Sequence, residues 1–251
     1  MYKFFVPESS QIDNEVLIEG DDYKHISKVL RLKTGDKIGI NNCTGKEFMG
    51  QIVLIDKKYV HVNIINEISI NNESTLKIYL FQGLPKSSKM DLIVQKATEL
   101  GAFEITPIIT QRVVVKNELN EFKKLGRWNR IILESCKQCK RSIIPKVNAP
   151  IEFDDLLKRL EDMDLIVVPY EEENGFGIKN VMDKIVISQI NKVAVIIGPE
   201  GGFEAIEIEK LKANGAYIVT LGPRILRTET AGFVCASILQ YELGDLGGEQ
   251  I

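Results

Sequence analysis

The chain has 251 residues, 44% of them hydrophobic and 27% charged, which is enough apolar material for one large core or two ordinary ones. No apolar run approaches the roughly 18 residues needed to span a bilayer, the start lacks the apolar stretch of a signal peptide, and four scattered cysteines make no disulfide framework. These features predict a cytoplasmic protein with no membrane contact, and a formal net charge of −3 excludes a generic polyanion binder.

Residues 1–70 read as a small β-rich domain. Short apolar stretches at Phe4–Val6, Val16–Ile18, Lys37–Ile40, Phe48–Leu54 and Val60–Ile65 alternate with turn signals such as Thr44-Gly45. Only Asp22–Leu32 has helical spacing, with Asp21 or Asp22 as its cap. This pattern predicts a small barrel or open sheet. Asn71–Ser74 is polar and unpatterned and reads as a linker.

From Leu76 the rhythm changes to strands alternating with helices, so residues 71–251 are expected to form an α/β domain with a parallel sheet. The strands are Leu76–Phe81, Ile105–Ile109, Leu165–Val168, Val193–Ile197 and Tyr217–Leu221. Ser88 and Asp91 make a capping box for a helix ending at Gly101. A long helix runs from about Glu121 to Arg141. At about 100° per residue, Leu125, Trp128, Ile132, Cys136 and Cys139 share an apolar stripe, and Glu134, Gln138 and Arg141 project together on the polar side.

Charge is distributed unevenly. Between Gln111 and Lys146 there are ten basic residues and three acidic ones on an otherwise acidic chain. That asymmetry fits either a nucleic-acid face or a solvated helix surface. Cys136-x-x-Cys139 invites a zinc reading, but there is no second pair and His25 and His61 lie far upstream. Core packing is the better account, and no metal is expected.

Two loops at successive strand ends carry the clearest chemistry. Gly198-Pro-Glu-Gly-Gly follows the run Val193–Ile197. It is neither a dinucleotide fingerprint nor a phosphate loop with a following Gly-Lys-Ser/Thr, yet it holds more glycines than a tight turn needs. Leu221-Gly-Pro-Arg-Ile-Leu-Arg-Thr-Glu-Thr follows the next strand and leads into a helix capped by Thr228. Ligands bind where loops leave the carboxyl ends of parallel strands, so both loops point to one shared pocket.

With these residues in view the chain resembles the SPOUT methyltransferases, and within them the RsmE type, which makes 3-methyluridine in small-subunit ribosomal RNA. The resemblance spans nearly the whole length. It includes His25-x3-Val29-Leu30-Arg31, Lys96-Ala-Thr-Glu-Leu-Gly101 and Arg127-Trp128-x2-Ile131-x2-Glu134-x3-Gln138-x2-Arg141. Departures are Gln111-Arg112-Val113, where Glu-Arg-Ser is frequent, and Lys3 in place of an arginine.

The resemblance implies a deep C-terminal trefoil knot, a PUA-like β-barrel domain at the N-terminus that holds RNA, and a homodimer. It implies S-adenosylmethionine held by Pro169 and Tyr170, by Gly198, Pro199, Glu200, Gly201 and Gly202, and by Leu221, Gly222, Ile225, Leu226 and Arg227. The substrate would be 16S ribosomal RNA in the small subunit, contacted by Lys3, Arg31, Arg112, Arg127, Arg130, Glu134, Lys137, Gln138 and Arg141. Uracil N3 is protonated at neutral pH, so catalysis needs a proton acceptor or cations that stabilise the developing oxyanions. Arg227, Arg112 and Arg141 are candidates for the second role and Glu229 or Glu134 for the first. Competing readings are a knotted methyltransferase acting on a ribose hydroxyl or a guanine, and a non-catalytic ribosome-assembly factor.

Overall fold

A computed structural model of the chain describes residues 2–7, 10–12, 14–69, 72–86, 89–113 and 124–248. Its contacts divide into two units, residues up to 73 together with 136–144, and residues 74–135 together with 145 onward.

The first unit is built on a six-stranded sheet. Its strands are β1 (Lys3–Phe5), β2 (Gln11–Ile12), β3 (Glu15–Glu19), β4 (Lys37–Asn41), β5 (Glu47–Ile55) and β6 (Tyr59–Ile68). They run in the order β1-β4-β5-β6-β3-β2, with β1 parallel to β4 and the other neighbours antiparallel. In β3, Val16 and Ile18 are buried between exposed Glu15, Leu17 and Glu19, the period of two that a half-buried strand requires. They join Phe4, Ile26, Ile38, Ile52, Val60 and Val62 in one apolar core.

Three sequence expectations need correction here. The helix expected over Asp22–Leu32 starts earlier, as α1 (Gly20–Lys24), and turns into a π-helical segment over His25–Val29. Gly20 starts it with φ 65°, a conformation that costs a residue without Cβ little, so neither Asp21 nor Asp22 caps it. The short β2 had no signal in the sequence. The stretch expected as a linker is anchored, although Asn71 lies outside the described residues. The Glu73 carboxylate accepts from Arg141 Nη2 (2.7 Å) and Nε (3.1 Å) and from the backbone N–H groups of Ser142 (2.6 Å) and Ile143 (2.9 Å).

The second unit holds a seven-stranded sheet in which every pairing is parallel. Its strands are β7 (Lys77–Gly83), β8 (Ala102–Ile109), β9 (Lys146–Val147), β10 (Ile151–Glu152), β11 (Leu165–Pro169), β12 (Lys192–Ile197) and β13 (Tyr217–Val219). The order is β10-β8-β7-β12-β11-β13, with β9 also on β8. The helices are α2 (Lys89–Glu99), α3 (Leu125–Cys139), α4 (Phe153–Arg159), α5 (Ile178–Met182), α6 (Ala205–Ala213) and α7 (Thr228–Leu243).

All of β12 from Val193 to Ile197 is buried, as expected of a strand covered on both faces. Ala194 and Ile196 pack with Phe153, Leu156, Ile208 and Leu211 from α4 and α6. On the other face Gly232 of α7 lies close to Ile197 and Leu80, and α2 packs on α7.

The long helix differs from expectation at both ends. Residues 121–123 lie outside the described residues, and α3 begins at Leu125. It stops at Cys139 because Lys140 takes φ 61°, a left-handed turn that reverses the chain. Its apolar stripe is as read, with Trp128, Ile132 and Cys136 fully buried. Ser88, expected as the cap of α2, is likewise outside the described residues. The last expected strand ends at Val219, so Leu221 belongs to the loop.

Candidate functional site

A cavity of about 340 Å³ opens at the carboxyl ends of β11, β12 and β13. Its walls come from three segments, residues 169–174 after β11, residues 197–202 after β12 and residues 220–228 after β13, with Lys89 and Ala231 completing it. Parallel pairing of β11 with both β12 and β13 brings the three segments together, since all three strands end at the same edge. Of the eleven residues expected to hold a ligand besides Gly201, all line this cavity: Pro169, Tyr170, Gly198, Pro199, Glu200, Gly202, Leu221, Gly222, Ile225, Leu226 and Arg227.

The glycine loop is shaped by close approach. Gly202 takes φ 69°, its N–H donates to the Pro199 carbonyl at 2.9 Å, and a Cβ at this position would strike the Glu171 carboxylate. Gly83, at the end of β7, leaves no room for a Cβ against the Pro199 ring. Behind the loop Phe203 is buried, and α6 opens with the Glu204 N–H donating to Glu207 Oε2 at 2.8 Å. Glu207 also accepts the Gln111 N–H at 3.0 Å, so this buried carboxylate is paired with two backbone donors at a helix N-terminus.

Thr228 does not cap α7. Arg227 occupies the N-cap position, and Thr228 is the first helical residue, buried, with its hydroxyl donating to the Gly198 carbonyl at 2.6 Å and accepting from Gln82 Nε2 at 2.8 Å. The hydroxyl is therefore spent on the glycine loop rather than on its own helix. Residues 222–225 and Arg227 of the third segment are exposed; Ile225 is 85% accessible, unusual for a large apolar side chain.

Charge of both signs faces the cavity. Lys89, Arg224 and Arg227 supply cations, and Glu171, Glu173 and Glu200 supply carboxylates. A ligand carrying charges of both signs suits this lining better than a polyanion does. Glu200 accepts from Lys89 Nζ at 3.0 Å and from the Lys86 N–H at 3.1 Å. Burial pushes the Glu200 carboxyl up, but these bonds and its own backbone N–H outweigh burial and hold it below the usual carboxylate range.

Glu229 is placed differently from the expectation. It is not among the cavity-lining residues. Its Oε2 is buried, makes no directed hydrogen bond, and lies 3.4 Å from Lys89 Nζ, within ion-pair distance. Lys89 stands between the two carboxylates and faces the cavity, and sequence reasoning missed it. The sequence marked this helix by a capping box and its end at Gly101, and it held no signal linking Lys89 to loops more than a hundred positions away.

Arg112 also lies off the cavity wall. Its guanidinium grips Glu204 at 2.8 and 3.1 Å and the Gly201 carbonyl at 2.8 Å, so it braces the glycine loop from outside.

Besides Arg112, the residues expected to meet RNA fall into two groups. Arg31, Arg127, Arg130, Glu134 and Gln138 are exposed, with Arg127 Nη2 at 2.5 Å from Asp91. Lys3, Lys137 and Arg141 are committed within the first unit. Lys3 pairs with buried Glu47 at 2.5 Å, Lys137 with Asp22 at 3.2 Å, and Arg141 is 5% exposed on Glu73. Arg141 cannot project with Glu134 and Gln138, because the helix has already ended. Cys136 is fully buried with its Sγ 3.8 Å from the Ile143 carbonyl, and burial pushes its thiol up to about 12.

Known proteins resemble this chain over most of its length. Residues 72–240 match the RNA methyltransferase domain family and residues 18–65 the RNA methyltransferase PUA domain family. The chain is 35% identical to the ribosomal RNA small subunit methyltransferase E of Bacillus subtilis over 256 residues, covering all of both chains. It is 37% identical to the protein of that name from Buchnera aphidicola (subsp. Schizaphis graminum), covering 93% of each. Among solved structures, a Neisseria gonorrhoeae ribosomal RNA small subunit methyltransferase E bound to S-adenosyl methionine superposes with a TM-score of 0.81 at 28% identity, over 98% of this chain and 99% of that one. A Legionella pneumophila protein in complex with the same cofactor gives 0.82 at 34% identity, over 97% and 98%. Among the described residues no helix is long and apolar enough to cross a membrane.

Proposed function

The chain belongs to the ribosomal RNA small subunit methyltransferase E family, and from that premise we propose that it uses S-adenosylmethionine to methylate ring nitrogen 3 of a uridine in 16S ribosomal RNA. The observation that carries this reading is the single cavity assembled from the loops after β11, β12 and β13. Its paired charges fit a donor that bears a cationic sulfonium, an amino group and a carboxylate. The glycine loop and residues 221–227 would hold that donor, with Pro169 and Tyr170 closing the third side.

Bound there, the cofactor supplies a methyl group already activated by its sulfonium. What the chain must add is alignment of the uracil and control of its imide proton. Arg227 and Arg224 line the cavity and are suited to stabilising negative charge on the uracil oxygens. Arg112 supports the reaction by fixing the Gly201–Glu204 segment.

The same reading extends to architecture. The chain leaves β13, passes through residues 220–227 and returns as α7 against β12 and β7, a path suited to a trefoil knot. We assign the first unit to RNA holding and the second to methyl transfer, and a homodimer as the working form in the cytoplasm. Exposed Ile225 at the cavity rim is the kind of surface a second copy would cover. Exposed Arg31, Arg127 and Arg130, with Glu134 and Gln138 beside the latter two, would meet RNA.

The test is mass spectrometry of ribosomal RNA nucleosides from a deletion strain before and after the protein is restored. Loss and recovery of 3-methyluridine supports the proposal. A change in ribose or guanine methylation selects another chemistry, and no change at all selects an assembly role.

A further inference from the structure

We propose that Lys89 is the cationic catalytic residue of the cavity, and that Glu229 and Glu200 act by holding its ammonium there. Glu229 is then a positioning residue rather than the proton acceptor. This inference rests on the uridine reading above and adds to it the group that carries the charge of the reacting base.

Three observations support it. Lys89 lines the cavity whereas Glu229 does not. The Lys89 Nζ lies 3.0 Å from Glu200 Oε1 and 3.4 Å from Glu229 Oε2, so a four-carbon flexible stem is fixed between two elements, the glycine loop and α7. Glu229 Oε2 is closed to solvent and lies within ion-pair distance of Lys89, so this oxygen is turned to the ammonium rather than to the cavity. The two carboxylates, Glu200 foremost, also keep the Lys89 ammonium above the ordinary lysine range, so it acts as a charged donor and not as a base.

The chemistry requires such a donor. In the transfer, uracil N3 loses its proton to water, its electron pair forms the new bond to carbon, and the pair of the broken carbon–sulfur bond stays on sulfur. Negative charge on the imide oxygens peaks before the bond forms. An ammonium already oriented by two carboxylates stabilises that charge with little reorganisation. Glu200 and Glu229 lie against Lys89, and Glu171, Glu173, Arg224 and Arg227 are the other charged residues of the cavity wall. The carboxylates keep its charge, and the two arginines share its task.

The experiment compares wild type with Lys89→Ala, Lys89→Arg and Glu229→Gln. It measures turnover on small-subunit RNA against pH, cofactor affinity by calorimetry, and the imide pKa of a 5-fluorouridine at the modified position by fluorine NMR in the complex. Lys89→Ala should lower kcat by about 100-fold or more, with cofactor affinity changed only a few-fold. Its deficit should shrink toward high pH, where the imide ionises unaided, and the fluorouridine pKa should rise relative to wild type. Lys89→Arg should recover part of the rate, which a packing role would not explain. Glu229→Gln keeps an acceptor for the ammonium and should lose less than about tenfold, whereas loss of a general base removes about 100-fold or more. The inference is overturned if Lys89→Ala turns over within threefold of wild type, if its imide pKa is unmoved, or if Glu229→Gln is slower than Lys89→Ala. If wild type methylates another atom, the uridine reading fails by itself and the kcat ranking of the variants, read on that product, still decides the role of Lys89.

Discussion

The Thr228 hydroxyl donates to the Gly198 carbonyl at 2.6 Å, joining the first turn of α7 to the first residue of the glycine loop. Gln82 donates to the same hydroxyl at 2.8 Å from the end of β7, so one side chain ties three strand or helix ends at the cavity floor. Thr228→Val keeps the shape and removes the polar link. A part-buried carbonyl and a buried amide each lose a partner, costing about 1–3 kcal/mol. Urea unfolding should show that loss, and calorimetry should show weakened cofactor binding. Thr228→Ser should restore both.

Gly202 and Gly215 separate strain from function. Both have positive φ, 69° and 80°. A Cβ at Gly202 meets the Glu171 carboxylate, while at Gly215 it meets nothing within 4 Å. Each Gly→Ala change should cost about 1–2 kcal/mol of stability from the left-handed backbone. Only Gly202→Ala should also lower cofactor affinity, by tenfold or more, measured on protein that is still folded.

Arg141 and Arg130 should respond in different assays. Arg141 is buried on Glu73, and Arg141→Ala leaves that carboxylate without its bidentate partner. Breaking a buried pair in this way costs about 3–5 kcal/mol, read as a lower denaturation midpoint. Arg130 is exposed on α3. Arg130→Ala should leave stability within about 0.5 kcal/mol, weaken RNA binding and reduce the salt slope by about one. An unchanged slope would remove α3 from the RNA interface.

The Cys136 thiol is pushed up to about 12 by burial, against about 8.5 for a free cysteine. At pH 8 the native protein should therefore hold Cys136 as an unreactive thiol, modified by a disulfide reagent only after denaturation. Linkage gives the sign of the pH effect. The unfolded chain releases this proton first, so stability should fall as pH rises from about 8.5 toward 12. Cys136→Ala should flatten that part of the stability profile.

Local patterning revealed most of the second unit. Apolar runs bounded by glycine and proline marked β11, β12 and β13, and two unusual loops marked the cavity wall, because both signals are confined to short windows. What stayed hidden depended on distance or on a single dihedral. Lys89 reaches the cavity only because β7 lies beside β12, a pairing that joins residues more than a hundred apart. Arg141 was placed on a helix face because nothing in the sequence marks Lys140 for φ 61°. Glu229 follows a helix N-terminus as an acidic residue often does. Its inward aim at Lys89 is set by packing of α7 against α2, which periodicity cannot report.

The position of β7 has a consequence for how the protein is made. It is the first strand of its sheet to be synthesised and it lies between β8 and β12. One edge can be covered soon after residue 109, but the other waits for residues 192–197. Throughout that interval a nascent chain presents an open strand edge, the feature that invites pairing with other chains. Closing a loop of this length makes the step slow. Ordering of the glycine loop follows it, and the Thr228 tie comes later still, so competence to hold a cofactor is gained only after residue 228 has been made.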